Sequence, residues 1–322
     1  MTIDLTETST SAIASALQQA RQRLGGPASG MVLTLVIVTD EAAQYDAVRA
    51  ANEAAREHPC RVLVVITRRP TAGPRLDAEI RVGETSPGET MLLRMYGPTG
   101  QHADSVVAPL LLPDTPVVTW WPGIPPEDPA GNPIGMLAQR RITDAAAVDE
   151  PREALAALAA SYQPGDTDLS WTRATPWRSL LAAVLDQPHG TIEAGTVRAE
   201  LGNPSADLIA VWLASRLGIP IASEVSTGPG ITEVSFATSE GEITVTRPDG
   251  RVAQLRRPDQ PERRVALHRR DTPELLAEEL RRLDPDEVYA ESLALLGPVG
   301  APRRSWTTTR PGCTPRRSRP GW

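Results

Sequence analysis

Lysine is missing from this 322-residue sequence, so each of its 33 basic side chains is an arginine. Coding bias in a GC-rich genome produces such uniformity as readily as selection for guanidinium chemistry. Phenylalanine is almost missing too: Phe236 stands alone, and seven tryptophans must supply much of the aromatic bulk. Cysteine is confined to Cys60 and Cys313, which excludes a disulfide framework or a four-cysteine zinc site and suits a reducing compartment. Long apolar runs are short of what a bilayer needs. The strongest, Met31–Val38, has the length of a strand and falls well below the roughly 20 residues of a spanning helix. The first residues carry Asp4 and Glu7 and no apolar core, so a secretory signal is not expected and a cytoplasmic location is. A formal charge of −7 disfavours general nucleic-acid binding.

What is present reads as two domains, because a single hydrophobic core usually stops growing near 250–300 residues. Ile13, Leu17, Ala20 and Leu24 recur at helical spacing, and Gly25-Gly26-Pro27 stops them. Met31–Val38, a helical stretch from about Asp40 to Glu57, and Arg61–Ile66 then form a β-α-β unit. Strands apolar on both faces suit a parallel sheet covered by helices. Asp77–Val82, Thr90–Tyr96 and Pro116–Trp121 are further strands, Ser105–Leu112 is helical, and Pro151–Tyr162 closes the domain as a helix. The turn formers of Tyr162–Asp166 mark the boundary, giving an N-terminal α/β domain over 1–165. A C-terminal α+β domain follows over 166–297. Its first helix is expected to open with Thr175 as cap and Pro176 in the first turn, and a second runs over Ser205–Leu217. Four short segments from Ile231 to Leu267 read as an antiparallel meander, with Pro248-Asp249-Gly250 as a hairpin turn. Two capped helices start at Asp271 and Asp284. Residues 298–322, rich in Arg and Pro and without apolar periodicity, read as a disordered tail.

Chemistry is hard to find. The first strand-to-helix turn offers Thr39-Asp40-Glu41 where a phosphate cradle needs glycines, and two carboxylates there repel phosphate. His58, His102, His189 and His268 are isolated from one another, which leaves no ligand pair for a metal. No Gly-x-Ser-x-Gly elbow occurs. Asp166 and Asp168 would share one face of a strand, but a turn or cap role fits them better than acid–base work. The sequence therefore names no catalytic, cofactor-binding or metal residue. Its most unusual feature is Val117–Trp121 leading into Pro122-Gly123-Ile124-Pro125-Pro126. Adjacent tryptophans on a strand point to opposite faces, so one of Trp120 and Trp121 can enter the core while the other is free for an interface. Trp120, Trp121, Pro122, Arg140 and Arg141 are accordingly the candidate partner-binding residues. A solvated or salt-bridged Arg140-Arg141 pair is the commoner alternative, and packing of both tryptophans is an even alternative.

Several ordered segments resemble one family. Glu89–Gly97, His102–Val118, Trp120-Trp121-Pro122-Gly123, Leu137–Asp144, Pro164–Leu169 and Asp284–Tyr289 look like the OpcA family of glucose-6-phosphate dehydrogenase assembly proteins, in its actinobacterial form. The resemblance covers nearly all of the chain up to Gly297. It implies a non-enzymatic allosteric activator, without cofactors, that binds glucose-6-phosphate dehydrogenase and favours its active oligomer in the oxidative pentose phosphate pathway. Self-association stays open, and a sugar-phosphate-binding enzyme or sensor using Arg140 and Arg141 is the competing reading. Thiol-based control, associated with cyanobacterial relatives, is not expected here, because Cys60 falls in a buried-type strand.

Overall fold

A computed structural model describes residues 1–24, 30–68, 71–83 and 88–296. The Gly25-Gly26-Pro27 stop, Cys313 and the expected tail lie outside them. The elements are β1 (Thr2–Leu5), α1 (Thr10–Leu24), β2 (Leu33–Thr39), α2 (Gln44–Ala54), β3 (Cys60–Arg68), β4 (Arg75–Val82) and β5 (Glu89–Tyr96). There follow α3 (Ala103–Val107), β6 (Val117–Trp120), β7 (Arg140–Thr143), α4 (Pro151–Ser161), β8 (Asp166–Asp168) and α5 (Leu169–Leu185). After them come β9 (Ile192–Ala199), α6 (Pro204–Leu217), β10 (Ile221–Val225), β11 (Ile231–Thr238) and β12 (Gly241–Thr246). The last are β13 (Val252–Arg256), β14 (Arg263–Ala266), α7 (Thr272–Arg281) and α8 (Glu287–Ala294).

Two compact units result. The first holds Met1–Trp177, Gly202–Ser205 and the chain from Arg269 to the end of the described residues. Its eight-stranded sheet runs β1-β4-β5-β3-β2-β6-β7-β8, parallel from β5 to β8, with β4 and β1 added antiparallel at one edge. Apolar side chains alternate to both faces of the central strands, as helices on both sides require. Leu33, Leu35, Ile37, Val62, Val64 and Ile66 pack with α2 and with Leu275, Leu276 and Leu280 of α7. On the other face, Val36, Leu63, Val65, Met91 and Leu93 pack with Ile13, Leu17 and Ala20 of α1 and with Val107. The helices read from the first and the last stretches of sequence thus close opposite faces of one sheet. Membership of a unit follows packing and not chain order, since α7 and α8 belong with the first sheet.

The second unit holds Arg178–Leu201 and Ala206–His268. Its six-stranded sheet runs β10-β9-β11-β12-β13-β14, with β10 parallel to β9 and the rest antiparallel. Phe236 lies fully buried on β11. Asp249 shapes the β12–β13 hairpin by accepting from the amides of Arg251 and Val252, and Gly250 adopts a φ of 70°. Two buried arginines replace apolar bulk with fixed hydrogen bonds. Arg257 donates to the carbonyls of Val184 and Pro188, and Arg247 to those of Leu267 and Ile231.

The α/β and α+β sheets match expectation, and two details are corrected. The helix expected to open at Thr175-Pro176 begins at Leu169, directly after β8. Asp168 supplies its start by accepting from the Ser170 amide, which leaves Pro176 inside the helix. A proline there has no N–H for the carbonyl four residues back. That carbonyl belongs to Thr172, and the guanidinium of Arg270 takes it instead. The short strands β1, β7, β8 and β10 and the eight-residue β9 are the other elements that sequence pattern did not name.

Cys60 opens β3 with its thiol fully buried, and burial pushes that thiol up to about 12. In a Cys313→Ser background the folded protein should therefore resist alkylation at pH 8 and react only on unfolding. An unfolded thiol ionises near 8.5, below the folded value, so the stability it confers is complete below pH 8.5 and is lost as pH rises toward 12. Chemical denaturation should show the stability gap between this protein and its Cys60→Ala variant narrowing by about 1.4 kcal/mol per pH unit above 8.5.

Candidate functional site

The residues singled out from sequence converge on the β6-β7-β8 edge of the first sheet. Trp120 stands beside Ile142, Val118 beside Arg140, and Arg141 beside Asp166. All four of the large candidates are interior: Trp120 is 1% exposed, Trp121 3%, Arg140 4% and Arg141 8%. Pro122 is half-buried. Trp120 joins the core under α2 and α7. Trp121 lies past the strand's end, its amide bonded to the Ile142 carbonyl and its ring covered by the loop that follows. Of the two equal alternatives, packing of both tryptophans is the one realised, because the sequence between β6 and β7 folds back and caps Trp121.

The two arginines are consumed internally, on opposite sides of β7. Arg140 grips Glu279 of α7 and donates to the Asp284 carbonyl at 2.9 Å. Glu279 in turn accepts from the Thr172 hydroxyl at 2.6 Å, joining sheet, α7 and α5. Arg141 pairs with Asp166, its cross-strand neighbour, and donates to the carbonyls of Ala138 at 3.0 Å and Pro164 at 2.7 Å. Removal of one member of such a pair strands a buried charge, whereas replacement of both by apolar groups can be neutral.

The carboxylates at the strand ends are equally occupied. Asp168 accepts from the Thr143 hydroxyl at 2.7 Å and from the amides of Ala145 and Ser170, each at 2.8 Å. Asp144 receives the Arg173 guanidinium on both oxygens, at 2.6 and 2.7 Å. Burial pushes the Asp144 carboxyl up, and the two bonds from Arg173 oppose that. Asp166 and Asp168 thus hold backbone and arginine in place, with Asp168 capping α5 as the sequence suggested. Trp171 donates to Asp286 at 2.7 Å and packs on Tyr289, which also meets Tyr162 edge-on at 6.0 Å. Among the described residues, no group of three or more His, Cys, Asp or Glu side chains is placed to hold a metal. None of the described helices is long and apolar enough to cross a membrane.

The exposed product of this scaffold is the loop between Trp121 and Ala138. Asp128 accepts from the Gly131 amide at 2.9 Å and Asn132 from the Ile134 amide at 3.0 Å, while Ser161 of α4 donates to the Glu127 carbonyl at 2.8 Å. Gly135 closes the loop over Trp121. A Cβ at that position would strike the Pro129 carbonyl oxygen and stand 3.3 Å from the indole ring. Two large apolar side chains project from the braced segment, Ile124 at 87% exposure and Met136 at 66%. Ile124 stands between Gly123 and Pro125 in the segment that sequence pattern singled out.

The fold is α/β, and the polar residues along the β6-β7-β8 edge fasten its own chain. Comparison with known proteins identifies the family. Residues 51–160 match the glucose-6-phosphate dehydrogenase subunit N-terminal domain (OpcA_G6PD_assem), and residues 164–293 match the corresponding C-terminal domain (OpcA_G6PD_C). The chain belongs to the OpcA family. It is 29% identical over 205 residues to a curated Synechocystis sp. protein provisionally named OxPP cycle protein OpcA. That match takes in 57% of this chain and 42% of the relative, so the chain spans about two-fifths of its length. A solved 3-ketoreductase, KijD10 from Actinomadura kijaniata, overlays with a TM-score of 0.48 at 13% identity, over 82% of this chain and 94% of that one.

Arg140→Ala should cost about 3–5 kcal/mol of stability by leaving Glu279 buried and unpaired. The paired Arg140→Met, Glu279→Leu protein should recover most of that loss in urea unfolding. Equal destabilisation by both proteins would show that the charge pair itself, and not its satisfaction, is what the fold needs.

Proposed function

We propose that this chain is a non-catalytic assembly factor and allosteric activator in the oxidative pentose phosphate pathway of the cytoplasm. It binds glucose-6-phosphate dehydrogenase, favours its active oligomer, and makes contact through the loop between Trp121 and Ala138. Family membership supports the partner. The observation that carries the contact is the pair of exposed apolar side chains, Ile124 and Met136, on a loop braced by its own hydrogen bonds and by Gly135. A pre-braced loop gives up little conformational freedom on binding, and exposed large apolar groups on such a surface are typical anchors. The activator works by binding the active assembly more tightly than the inactive one, and that difference limits its effect.

Trp120, Trp121, Arg140 and Arg141 serve this surface from beneath. Their replacement by alanine would unfold the scaffold before it reported on binding, since a buried tryptophan costs about 3–5 kcal/mol on truncation. The informative changes are Ile124→Asp and Met136→Asp, which leave the buried side intact. Titration of the chain into glucose-6-phosphate dehydrogenase should give saturable activation with a rise in oligomeric mass. Each aspartate variant, folded by circular dichroism, should weaken the interaction about 30-fold or more, the equivalent of about 2 kcal/mol. Activation without loss in either variant would move the contact to another surface. No activation and no mass change would sink the assembly-factor reading.

A further inference from the structure

Beside α2 and against β4 and β5 lies a groove of about 310 Å³ whose rim is arginine-rich in a chain of net charge −7. Arg49 reaches it from α2, Arg56 from the turn just beyond that helix, Arg81 from β4 and Arg94 from β5. Glu53 is the one carboxylate lining it. The floor is apolar, made by Val48 and Leu92, with Asn52 supplying an amide. The helical positions follow from the helix's own periodicity, since residues 48, 49, 52 and 53 fall on one stripe.

The positive charge is divided between the ends. Arg81 stands opposite Thr90 on β5, and Arg94 lies four residues further along that strand, about 13 Å away at roughly 3.3 Å per residue. Leu92 lies between them, with Glu79 of β4 opposite it. Arg94 touches Glu41 and Glu79 only at 3.4 and 3.5 Å, and Arg49 meets Asp46 at 3.2 Å on an exposed helix turn. Arg81 is held more firmly, donating to Glu79 at 2.7 Å, so a phosphate there competes with that carboxylate. Arg56 is exposed with no ion-pair partner among the described residues.

We propose that this groove is a binding site for a small molecule with a phosphate at each end, such as a sugar bisphosphate. Arg94 and Arg49 would meet one phosphate and Arg81 and Arg56 the other, with the uncharged middle of the molecule over Leu92. Guanidinium groups suit phosphate because two parallel N–H donors match two oxygens. The volume lies at the small end of the roughly 300–1,000 Å³ of ligand pockets, which fits a metabolite of this size. The site is independent of the buried Arg140 and Arg141, whose guanidinium groups are turned to internal carboxylates and carbonyls, and of the identity of the protein partner.

Calorimetric titration of the full chain with inorganic phosphate, glucose 6-phosphate and fructose 1,6-bisphosphate, at low and physiological salt, tests it. The bisphosphate should bind saturably at both salt levels and at least tenfold more tightly than either monophosphate. Arg81→Ala and Arg94→Ala should each weaken it about tenfold. Arg56→Gln, which disturbs no internal bond, should weaken it severalfold with an unchanged melting temperature, and the exposed Arg251→Ala of the second unit should have no effect. Absence of saturable binding, no preference for the bisphosphate, or equal affinity in all variants overturns the proposal. So does tighter binding of an acidic hexapeptide than of the bisphosphate, which would assign the groove to a protein ligand.

Discussion

The ion pair between Arg140 and Glu279 decides what the first unit is. A strand as short as β7, with four residues, cannot be held by ladder hydrogen bonds alone, and a charged side chain on its inner face would be costly unless answered. Glu279 answers it from α7, and Thr172 occupies the second carboxylate oxygen. Sheet, α5 and α7 therefore become one cooperative body. Leu275, Leu276 and Leu280 can cover the sheet face that α2 leaves open because α7 is bolted there. The same logic recurs at Arg141 with Asp166 and at Asp144 with Arg173. Along this edge, charge does the positioning that apolar bulk does in the centre.

Where function commonly grows from polar residues at the carboxyl ends of parallel strands, here they are spent on structure. Asp168 and Asp144 sit where an active site would be expected, and each accepts three hydrogen bonds from hydroxyl, amide or guanidinium groups of its own chain. Both carboxylates thereby fix the chain at the strand ends. What the scaffold exports is shape: a loop of fixed conformation carrying Ile124 and Met136.

Much of the fold was legible because hydrophobic period and strand length agree in β2, β3, β5 and β6. The family resemblance rested on segments that the domain matches later covered. The short strands were not legible, because Arg140-Arg141-Ile142-Thr143 and Asp166-Thr167-Asp168 are polar runs that become strands only through their partners. Thr175-Pro176 misled for a definite reason: the usual helix-start signal was overridden by a cap one strand earlier and by an arginine that accepts the proline's cost. The candidate residues were legible as a segment but not in their surroundings: Trp120 enters the core under α2 and α7, whereas cover for Trp121 comes from the loop at Gly135, fourteen residues downstream, and no local pattern announces that contact.

The return of the chain to its first sheet also orders events during synthesis. Arg140 and its partner Glu279 are 139 residues apart, so at roughly 5–20 residues per second the ribosome delivers the carboxylate about 7–30 s after the arginine. By the end of that interval the strands of the second unit, β9 to β14, have all been made, whereas the first sheet still lacks α7 and Arg140 its carboxylate. The unit begun first is thus the last to have all its residues.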